Sequence, residues 1–373
     1  MALPTDVHGV PATSGHSPNE RPDPTDWKLL VERFQKSSRW RASWQILDTV
    51  LVYVGLWALI GWSLRVSWWL TVPLAVLAGL FLVRVFIIFH DCGHGSFFAS
   101  RRANAFWGFV TGLLTFTPYY HWRGDHAIHH GTTGDLSRRG VGDLWTMTVQ
   151  EYLSSTRWKK IGYRLARNPF VLFCVAPVVL IVGLQRFPRA GASTTERRSV
   201  WVMNAAVAVM VAGLSLLLGI VPYLVVQSII LMVAGAVGLW LFYLQHQFES
   251  AYWEHGEDWN YVEAALKGSS YFKLPRVLQW FSGNIGFHHV HHLGPRIPNY
   301  YLEACHRSDP LFSSVVPLSI WSALGSLGLK VWDESAKKLV SWRHLRRMRK
   351  QEQSRRQVPP SPRQGSGDPP RSA

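Results

Sequence analysis

Long apolar segments alternate with polar stretches along the chain, and four of them are long enough to cross a membrane. They occupy residues 44–64, 68–89, 200–221 and 223–244. A helix of about 20 apolar residues spans the hydrocarbon core of a bilayer. Very short polar turns, around Arg65 and Pro222, join these segments in two hairpins. The pattern therefore predicts an all-α integral membrane protein with four transmembrane helices.

Two shorter apolar runs fit a full crossing less well. Residues 105–119 contain two glycines and a proline near the end. Residues 170–184 contain Pro177 near the middle, where proline removes a helical hydrogen bond and bends the axis. We expect both runs to form interfacial or re-entrant helices. A strained fifth span is a second interpretation of residues 170–184.

The distribution of charge predicts the orientation and one class of partner. There are 39 basic and 23 acidic residues, a net charge of +16, in a chain that is 48% apolar and contains 19 tryptophans. The basic surplus lies between and beyond the apolar segments, so we expect it to contact anionic membrane lipids and not nucleic acid. The turns after residues 64 and 221 hold almost no Lys or Arg, whereas the opposite ends receive many. By the positive-inside rule, that opposite side and both termini are cytoplasmic.

The composition of the two terminal segments predicts that the chain is divided into three parts. Residues 1–40 are expected to be a disordered cytosolic segment without a cleavable signal peptide, and residues 41–334 the membrane domain. In the part from 335 to 373, residues 335–350 interleave apolar and basic side chains, which predicts an amphipathic helix on the membrane surface, followed by a disordered tail. A solvated basic helix is the alternative for 335–350. The three cysteines form no CxxC pair, which indicates neither a disulfide framework nor a zinc ribbon.

Nine of the 16 histidines follow a pattern that is typical of metal ligands. They lie in the motifs HDCGH, HAIHH and HHVHH and at the end of the fourth span: His90, His94, His126, His129, His130, His288, His291, His292 and His246. Spacings of three and four residues put imidazoles on one helical face, so neighbouring rings can converge on an ion. Nine histidines exceed what one ion of four to six ligands can use. The sequence therefore predicts two metal ions at one membrane face, provided that residues 105–119 do not make a single crossing.

Iron is the expected metal, because zinc sites need fewer ligands and two redox-active ions can activate O2 against a hydrocarbon chain. Neutral imidazoles leave the charge of the ions uncompensated, so acidic groups should lie close behind them and orient their N–H groups. The candidates near the motifs are Asp91, Asp125, Asp143 and Glu249, together with Asn284, which could hold a metal-bound water. An ordinary capping or surface role is the alternative for each of the five. His289 faces away from the other three if HHVHH is helical, and the remaining six histidines are interpreted as ordinary surface or core residues.

The motifs HDCGH, HAIHH and HHVHH, spread between four spans, resemble the three histidine boxes of membrane fatty-acid desaturases. The stretches HHGTTGDLSRRGVGDLWTMTVQEY, HQFESAYW and GNIGFHHVHHLGPRIPNYYLEACH are similar to the bacterial acyl-lipid, omega-6 (Δ12-type) branch. The resemblance covers residues 86–306. It implies a cytosolic cap that holds two iron ions through the eight motif histidines, with His246 as the additional histidine that ends the fourth span.

The same resemblance implies an activity and its partners. The enzyme would remove two hydrogens from an acyl lipid or another fatty-acyl substrate, using O2 and two electrons, in a bacterial inner membrane. No HPGG motif is present, so we expect no fused cytochrome b5 domain and a separate electron donor such as ferredoxin or a reductase. A hydroxylase or ketolase with the same boxes is the close alternative. A histidine-rich metal transporter is the alternative from another class, but it would favour facing ionisable residues within the spans, where we find only Asp48 and Arg84.

Overall fold

The computed structural model describes residues 26–357, which fold mainly as helices. In chain order the α-helices are α1 (Asp26–Glu32), α2 (Arg39–Ile46), α3 (Val52–Ser63), α4 (Trp68–His94), α5 (Arg101–Leu114), α6 (Tyr119–Thr132), α7 (Val149–Ser154), α8 (Arg157–Ala166), α9 (Ala176–Val178), α10 (Thr194–Leu218), α11 (Ile220–His246), α12 (Tyr261–Lys267), α13 (Arg276–Phe281), α14 (His288–Leu293), α15 (Asn299–Ser308), α16 (Pro310–Ser313), α17 (Ile320–Ser326) and α18 (Trp342–Gln357). The strands are β1 (Tyr271–Phe272), β2 (Pro317–Leu318), β3 (Leu329–Asp333) and β4 (Lys338–Ser341).

Four helices are long and apolar enough to cross a membrane, which confirms the predicted transmembrane plan. The first runs from Arg39 to Ser63 and joins α2 to α3 through a π-helical turn at Leu47–Leu51; the others are α4, α10 and α11. The second hairpin turns at Gly219, with φ of 85°, and not at Pro222 as the sequence predicted. Pro222 lies in the first turn of α11, where the N–H that proline lacks would have had no helical acceptor.

α4 is the most buried of the four spans and the centre of the membrane body. It packs against α3, α5 and α11, and the buried side chains between them include Ile60, Leu82 and Ile230. The two ionisable residues of this body pair with each other, since Arg84 Nη2 lies 3.6 Å from Asp48 Oδ2. An ion pair whose members also form hydrogen bonds with neighbouring residues offsets the cost of charge within a span, and its role is structural. The pair therefore gives no sign of a path for transported ions.

The two shorter apolar runs do not make straight crossings. α5 has 14 residues and so spans only about 21 Å, short of the roughly 30 Å hydrocarbon core. The chain bends by 67° between α8 and the helical segment Val171–Arg186, so this pair is a broken span or a re-entrant loop. The break precedes Pro177, which lies inside α9. Because α5 does not cross, the ends of α4 and α6 lie at the same face of the membrane body.

Residues 247–357, which we call the cap, cover that face with short helices and two small sheets. β1 pairs in parallel with β2, and β3 pairs antiparallel with β4. Residues 335–341 therefore form a turn and a strand and not the start of an amphipathic helix, which begins only at Trp342. This segment forms a strand because Leu339 and Val340 are both buried in the cap, where they pack against β3 and the residues around it.

The predicted disordered segment 1–40 is also corrected in part. Its first 25 residues lie outside the described part of the chain. α1, however, is helical, and its Val31 is 2% exposed because it packs into the main hydrophobic cluster of the cap. Trp27, Leu30 and Phe34 pack around the same cluster. The apolar side chains of this short stretch thus hold α1 on the cap.

Candidate metal centre

The structure brings all nine histidines of the predicted pattern together and divides them into two groups. The first group contains five histidines and the second contains four: His90, His94, His126, His130 and His291, and then His129, His246, His288 and His292. In each group, one potential ligand atom per residue lies within 4.8 Å of all the others. Either group could hold a metal ion.

The division is compatible with the helical spacing within each motif. In HAIHH, His126 and His130 are four residues apart and both join the first group, whereas His129 joins the second. In HHVHH, the pair with the same spacing, His288 and His292, joins the second group and the remaining His291 joins the first. Residues four apart stack on one helical face, whereas consecutive residues such as His129 and His130, or His291 and His292, point in different directions. Each of these two motifs therefore contributes to both groups and holds them side by side.

Close helix packing brings the first two motifs into contact. A Cβ atom added at Gly93, inside HDCGH, would lie 2.7 Å from the ring of Trp122 on α6. Glycine thus allows α6 to approach α4, and the Trp122 ring stacks on His126 with centroids 4.3 Å apart. The third motif forms α14, all of whose side chains are buried. The helix α14 of the cap therefore places the third motif over the ends of α4, α6 and α11.

The arrangement of ring nitrogens fits bound metal ions. His130 Nε2 lies 3.1 Å from Nε2 of both His126 and His291, and His246 Nε2 lies 3.1 Å from His288 Nε2. Two nitrogens that each lie about 2.1 Å from one ion, at a right angle, are about 3.0 Å apart. Three of the nine have a buried Nε2 without a hydrogen-bond partner in the described part of the chain: His94, His129 and His292. Buried polar atoms are normally satisfied, so these nitrogens fit an ion as their partner.

Burial also keeps these imidazoles in the form that binds metals. Desolvation is the main cause that holds the pKa of His126, His130, His288, His291 and His292 well below the usual value, and the neighbouring imidazoles lower it further. A lowered pKa favours the neutral ring at neutral pH. Neutral imidazole is the form that donates its lone pair to an ion.

In each group, one histidine contacts a carboxylate. His90 Nδ1 lies 3.0 Å from Asp91 Oδ1, and His129 Nδ1 lies 2.8 Å from Asp143 Oδ1. Such contacts fix the tautomer and the orientation of a metal-binding ring, and they place negative charge near the ion. Asp143 reaches His129 from a loop that passes close by at Gly142, with φ of 73° and a Cβ position only 2.9 Å from the His129 Cβ. A side chain at position 142 would therefore displace this carboxylate.

The other three candidate residues do not reach the histidine groups. Asp125 accepts a hydrogen bond from Arg189 Nε at 2.7 Å, and Glu249 is on the surface, 3.7 Å from Lys338. Asn284 accepts a hydrogen bond from Gln279 and donates one to the main chain of Asn299. For Glu249, adjacency in sequence was a poor guide, because α11 ends at His246 and the next residues leave its helical path. In this structure Asp125, Glu249 and Asn284 make structural or surface contacts.

Sequence reasoning missed several partners that hold the histidines in place. Asn299 donates to Asp91 Oδ2 from its main chain at 2.6 Å and from its side chain at 2.9 Å, and Gln45 donates to Asn299 Oδ1 at 3.0 Å. His246 Nδ1 lies 3.0 Å from the main-chain oxygen of Gly268. A main-chain acceptor leaves no trace in side-chain identity, so no sequence signal could have found Gly268. His289 belongs to neither metal group, and its Nε2 lies 3.1 Å from His306 Nδ1.

Comparisons with known proteins match most of the chain. The family model for fatty acid desaturases matches residues 67–314. A fatty acid desaturase of Bacillus subtilis (strain 168) is 45% identical over 302 residues, which cover 81% of this chain and 86% of the relative. An sn-1 oleoyl-lipid 12-desaturase of Synechocystis is 26% identical over 75% of this chain and 78% of the relative. A chloroplastic sn-2 acyl-lipid omega-3 desaturase (ferredoxin) of Helianthus annuus is 26% identical over 73% of this chain and 62% of the relative.

Proposed function

This chain belongs to the fatty acid desaturase family, and we propose that its two histidine groups hold two iron ions and use O2 to introduce a cis double bond into an acyl chain. As a desaturase it is an oxidoreductase and a membrane protein. The division of nine convergent imidazoles into groups of five and four is the observation that carries the assignment of two ions. Imidazole is a good ligand for iron, and neither group contains the thiolates that favour copper(I) or iron–sulfur clusters.

The iron ions, when bound, would supply the activation of O2 that allows hydrogen to be removed from an unactivated methylene. The side chains of this chain have three other tasks. The nine histidines hold the ions, and Asp91 and Asp143 keep His90 and His129 in one tautomer. Burial of α14 in the cap excludes bulk water, which would otherwise divert a reactive oxidant.

Two adjoining cavities provide an approach for the acyl chain to the second histidine group. The inner one is lined by His246 together with Phe242, Leu144 and Asp143 and has a volume of only about 10 Å³, so its walls must move apart to admit an acyl chain. The outer one shares Asp143 and Leu144 and has a volume of about 310 Å³ between the loop and the bent segment after α8. A saturated chain offers no hydrogen-bonding group, so the shape of this path would select the methylene that meets the oxidant.

The finer assignment is an acyl-lipid substrate with the new bond at the Δ12 position. The name of the Synechocystis relative, an oleoyl-lipid 12-desaturase, supports it, as does the similarity of the longer motif stretches. We place the histidine groups and both termini on the cytoplasmic side of a bacterial inner membrane, because the basic residues concentrate on that side. Electrons would come from a separate acidic carrier such as ferredoxin, or from a reductase, for which the basic surface offers docking charge.

Fatty-acid profiling tests this function directly. A bacterial host that expresses the wild-type chain should gain an unsaturated fatty acid, detected by gas chromatography–mass spectrometry, and derivatisation should place the double bond. The His129→Ala variant should insert into the membrane at the wild-type level and make no product, because it removes a second-group ligand. His344→Ala, in the surface-lying helix α18, is the matched control and should retain full activity. Wild-type unsaturation from His129→Ala, or a hydroxylated product from the wild type, would contradict the proposal.

A further inference from the structure

A buried arginine lies where α8 ends and the chain bends. Arg167 is only 3% exposed. Its Nη2 donates to Gln247 Oε1 at 2.7 Å and to the main-chain oxygen of Leu329 at 3.2 Å, and its guanidinium lies 5.3 Å from the centre of the Tyr243 ring. These contacts fix the position of the group between α11 and β3. They use one of its three nitrogens.

The charge of Arg167 has no counter-ion among the described residues. Its Nε and Nη1 are buried without a hydrogen-bond partner, and no described carboxylate lies within ion-pair distance of it. A second buried cation is adjacent, since Lys330 is 7% exposed and donates from Nζ to the main-chain oxygen of Arg167 at 2.7 Å. Burial, with the Arg167 charge as a smaller cause, lowers the pKa of Lys330 to about 8. Two neighbouring buried cations without an anion are costly, so an anion from outside the chain is the expected partner.

The same arginine lines the outer cavity. Apart from Arg167 and Asp143, the walls of this cavity are apolar and come largely from the bent segment: Val171, Leu172, Val175, Ala176 and Val179. Asp143 connects it to the inner cavity beside His246. A cation beside an apolar channel is complementary to an amphiphile that has one anionic end and one hydrocarbon end.

The position along the chain agrees with a membrane interface. α8 precedes Arg167 and carries exposed basic residues, such as Arg157 and Lys159, next to exposed apolar ones, such as Trp158 and Leu165. A helix of this composition lies along the surface of an anionic membrane. The apolar segment that follows bends away from α8 by 67°. Arg167 is therefore located where a lipid would present its head group while its tail extends toward the histidines.

We propose that Arg167, supported by Lys330, binds the anionic head of the fatty-acyl substrate, a phosphate or a carboxylate, and so orients the acyl chain along the cavity toward His246. This inference rests on the proposed desaturase function. A guanidinium suits either anion, and Nε or Nη1, which are both free, can donate to one of its oxygens. Arg167 is then a substrate-binding residue, and its contacts to Gln247 and Leu329 hold the fork in place.

Direct binding to the iron-loaded, full-length protein in a neutral detergent tests the proposal. The probes are three radiolabelled lipids with the same acyl chains: dipalmitoyl phosphatidylglycerol, palmitate and uncharged dipalmitoylglycerol. We expect Arg167→Gln to weaken binding of phosphatidylglycerol or palmitate by at least about tenfold and to leave dipalmitoylglycerol unchanged. The anionic probe that loses affinity identifies the source of the head group. Arg167→Lys keeps the charge but loses the planar donors and the contacts that hold them, so its affinity for the anionic probe should fall between those of the wild type and Arg167→Gln.

Two further variants keep the result interpretable. Arg157→Gln removes an exposed cation from the same helix and should bind all three lipids like the wild type. Ala176→Trp fills the outer cavity and should weaken all three, and it still tests the cavity if Arg167→Gln does not fold, as judged by its iron content. Equal affinities of wild type and Arg167→Gln, an equal loss for all three lipids in Arg167→Gln, or unchanged binding by Ala176→Trp would overturn the proposal.

The same set separates this inference from the function on which it rests. If the wild type desaturates lipids in the host but Arg167→Gln keeps its affinity for both anions, only the head-group assignment is wrong. If Arg167→Gln selectively loses an anion but the wild type makes no unsaturated product, the head-group site stands and the proposed reaction is wrong.

Discussion

The two histidine groups differ in the number of ligands and in what surrounds them. The first group has five histidines, from α4, α6 and α14, and its carboxylate Asp91 is held by Asn299 within the protein interior. The second has four, and its His246 and the carboxylate Asp143 both line the inner cavity. An ion with six positions would keep one position free in the first group and two in the second. All four imidazoles of the second group are buried, whereas His94 and His126 of the first are partly exposed, so the groups differ in the cavity beside them and not in their depth.

The largest expected effect comes from removing one ligand of each group. His130→Ala and His292→Ala should each abolish the unsaturated product, because the reaction needs both ions. Each should also lower the iron content from two ions per chain to about one, measured by elemental analysis of purified protein. His289→Ala is the matched control within HHVHH, since His289 belongs to neither group, and it should keep both ions. Retention of two ions by both ligand variants would break the division into two groups.

The next largest effect is expected from substitution of the two carboxylates, Asp91 and Asp143, and it distinguishes the two histidine groups. Asp143→Asn and Asp91→Asn should each lower iron affinity by about 10- to 100-fold, because the acceptor of the imidazole N–H loses its negative charge. Asp143→Asn should spare thermal stability, since Asp143 is held by a loop. Asp91→Asn should lower the melting temperature as well, because its Oδ2 accepts two hydrogen bonds from Asn299. Equal melting temperatures of the two variants would contradict a stabilising role of the hydrogen bonds between Asn299 and Asp91.

A smaller effect is expected at Asn299, which contacts Asp91. Asn299→Ala removes the side chain that joins Asp91 to Gln45 and leaves a buried amide and a carboxylate oxygen with fewer partners. The expected cost is about 1–3 kcal/mol of unfolding free energy. Iron content should remain close to two ions per chain, because the main-chain N–H of residue 299 still donates to Asp91. Denaturation of the iron-loaded protein measures the first quantity and elemental analysis the second; loss of iron without loss of stability would give Asn299 a direct role at the metal.

The sequence alone predicted the spans and the nine histidines because both depend on local periodicity. Helix length and polarity determine a crossing, and spacings of three and four determine which rings share a face. The assignment of His129 to one group and of His126 to the other could not be predicted, because it depends on the directions from which α11 and α14 approach α6. The same holds for Gly268 and Asn299, which reach the site only through the fold of the cap. Residues 335–341 were misjudged for a related reason, since their partner strand β3 is defined by tertiary packing.

The smallest effect is expected at Glu249, which the sequence placed beside His246. Its side chain is 69% exposed, and its only ion pair, with Lys338, has a distance of 3.7 Å on the surface of the described structure. An exposed pair of this kind contributes about 0–1 kcal/mol. Glu249→Gln should therefore keep both iron ions and an activity within about twofold of the wild type, in the same assays in which Asp143→Asn loses iron. A loss of iron from Glu249→Gln would mean that the loop after α11 moves onto the second group when metal binds, and Glu249 would then join Asp143 as a carboxylate of that group.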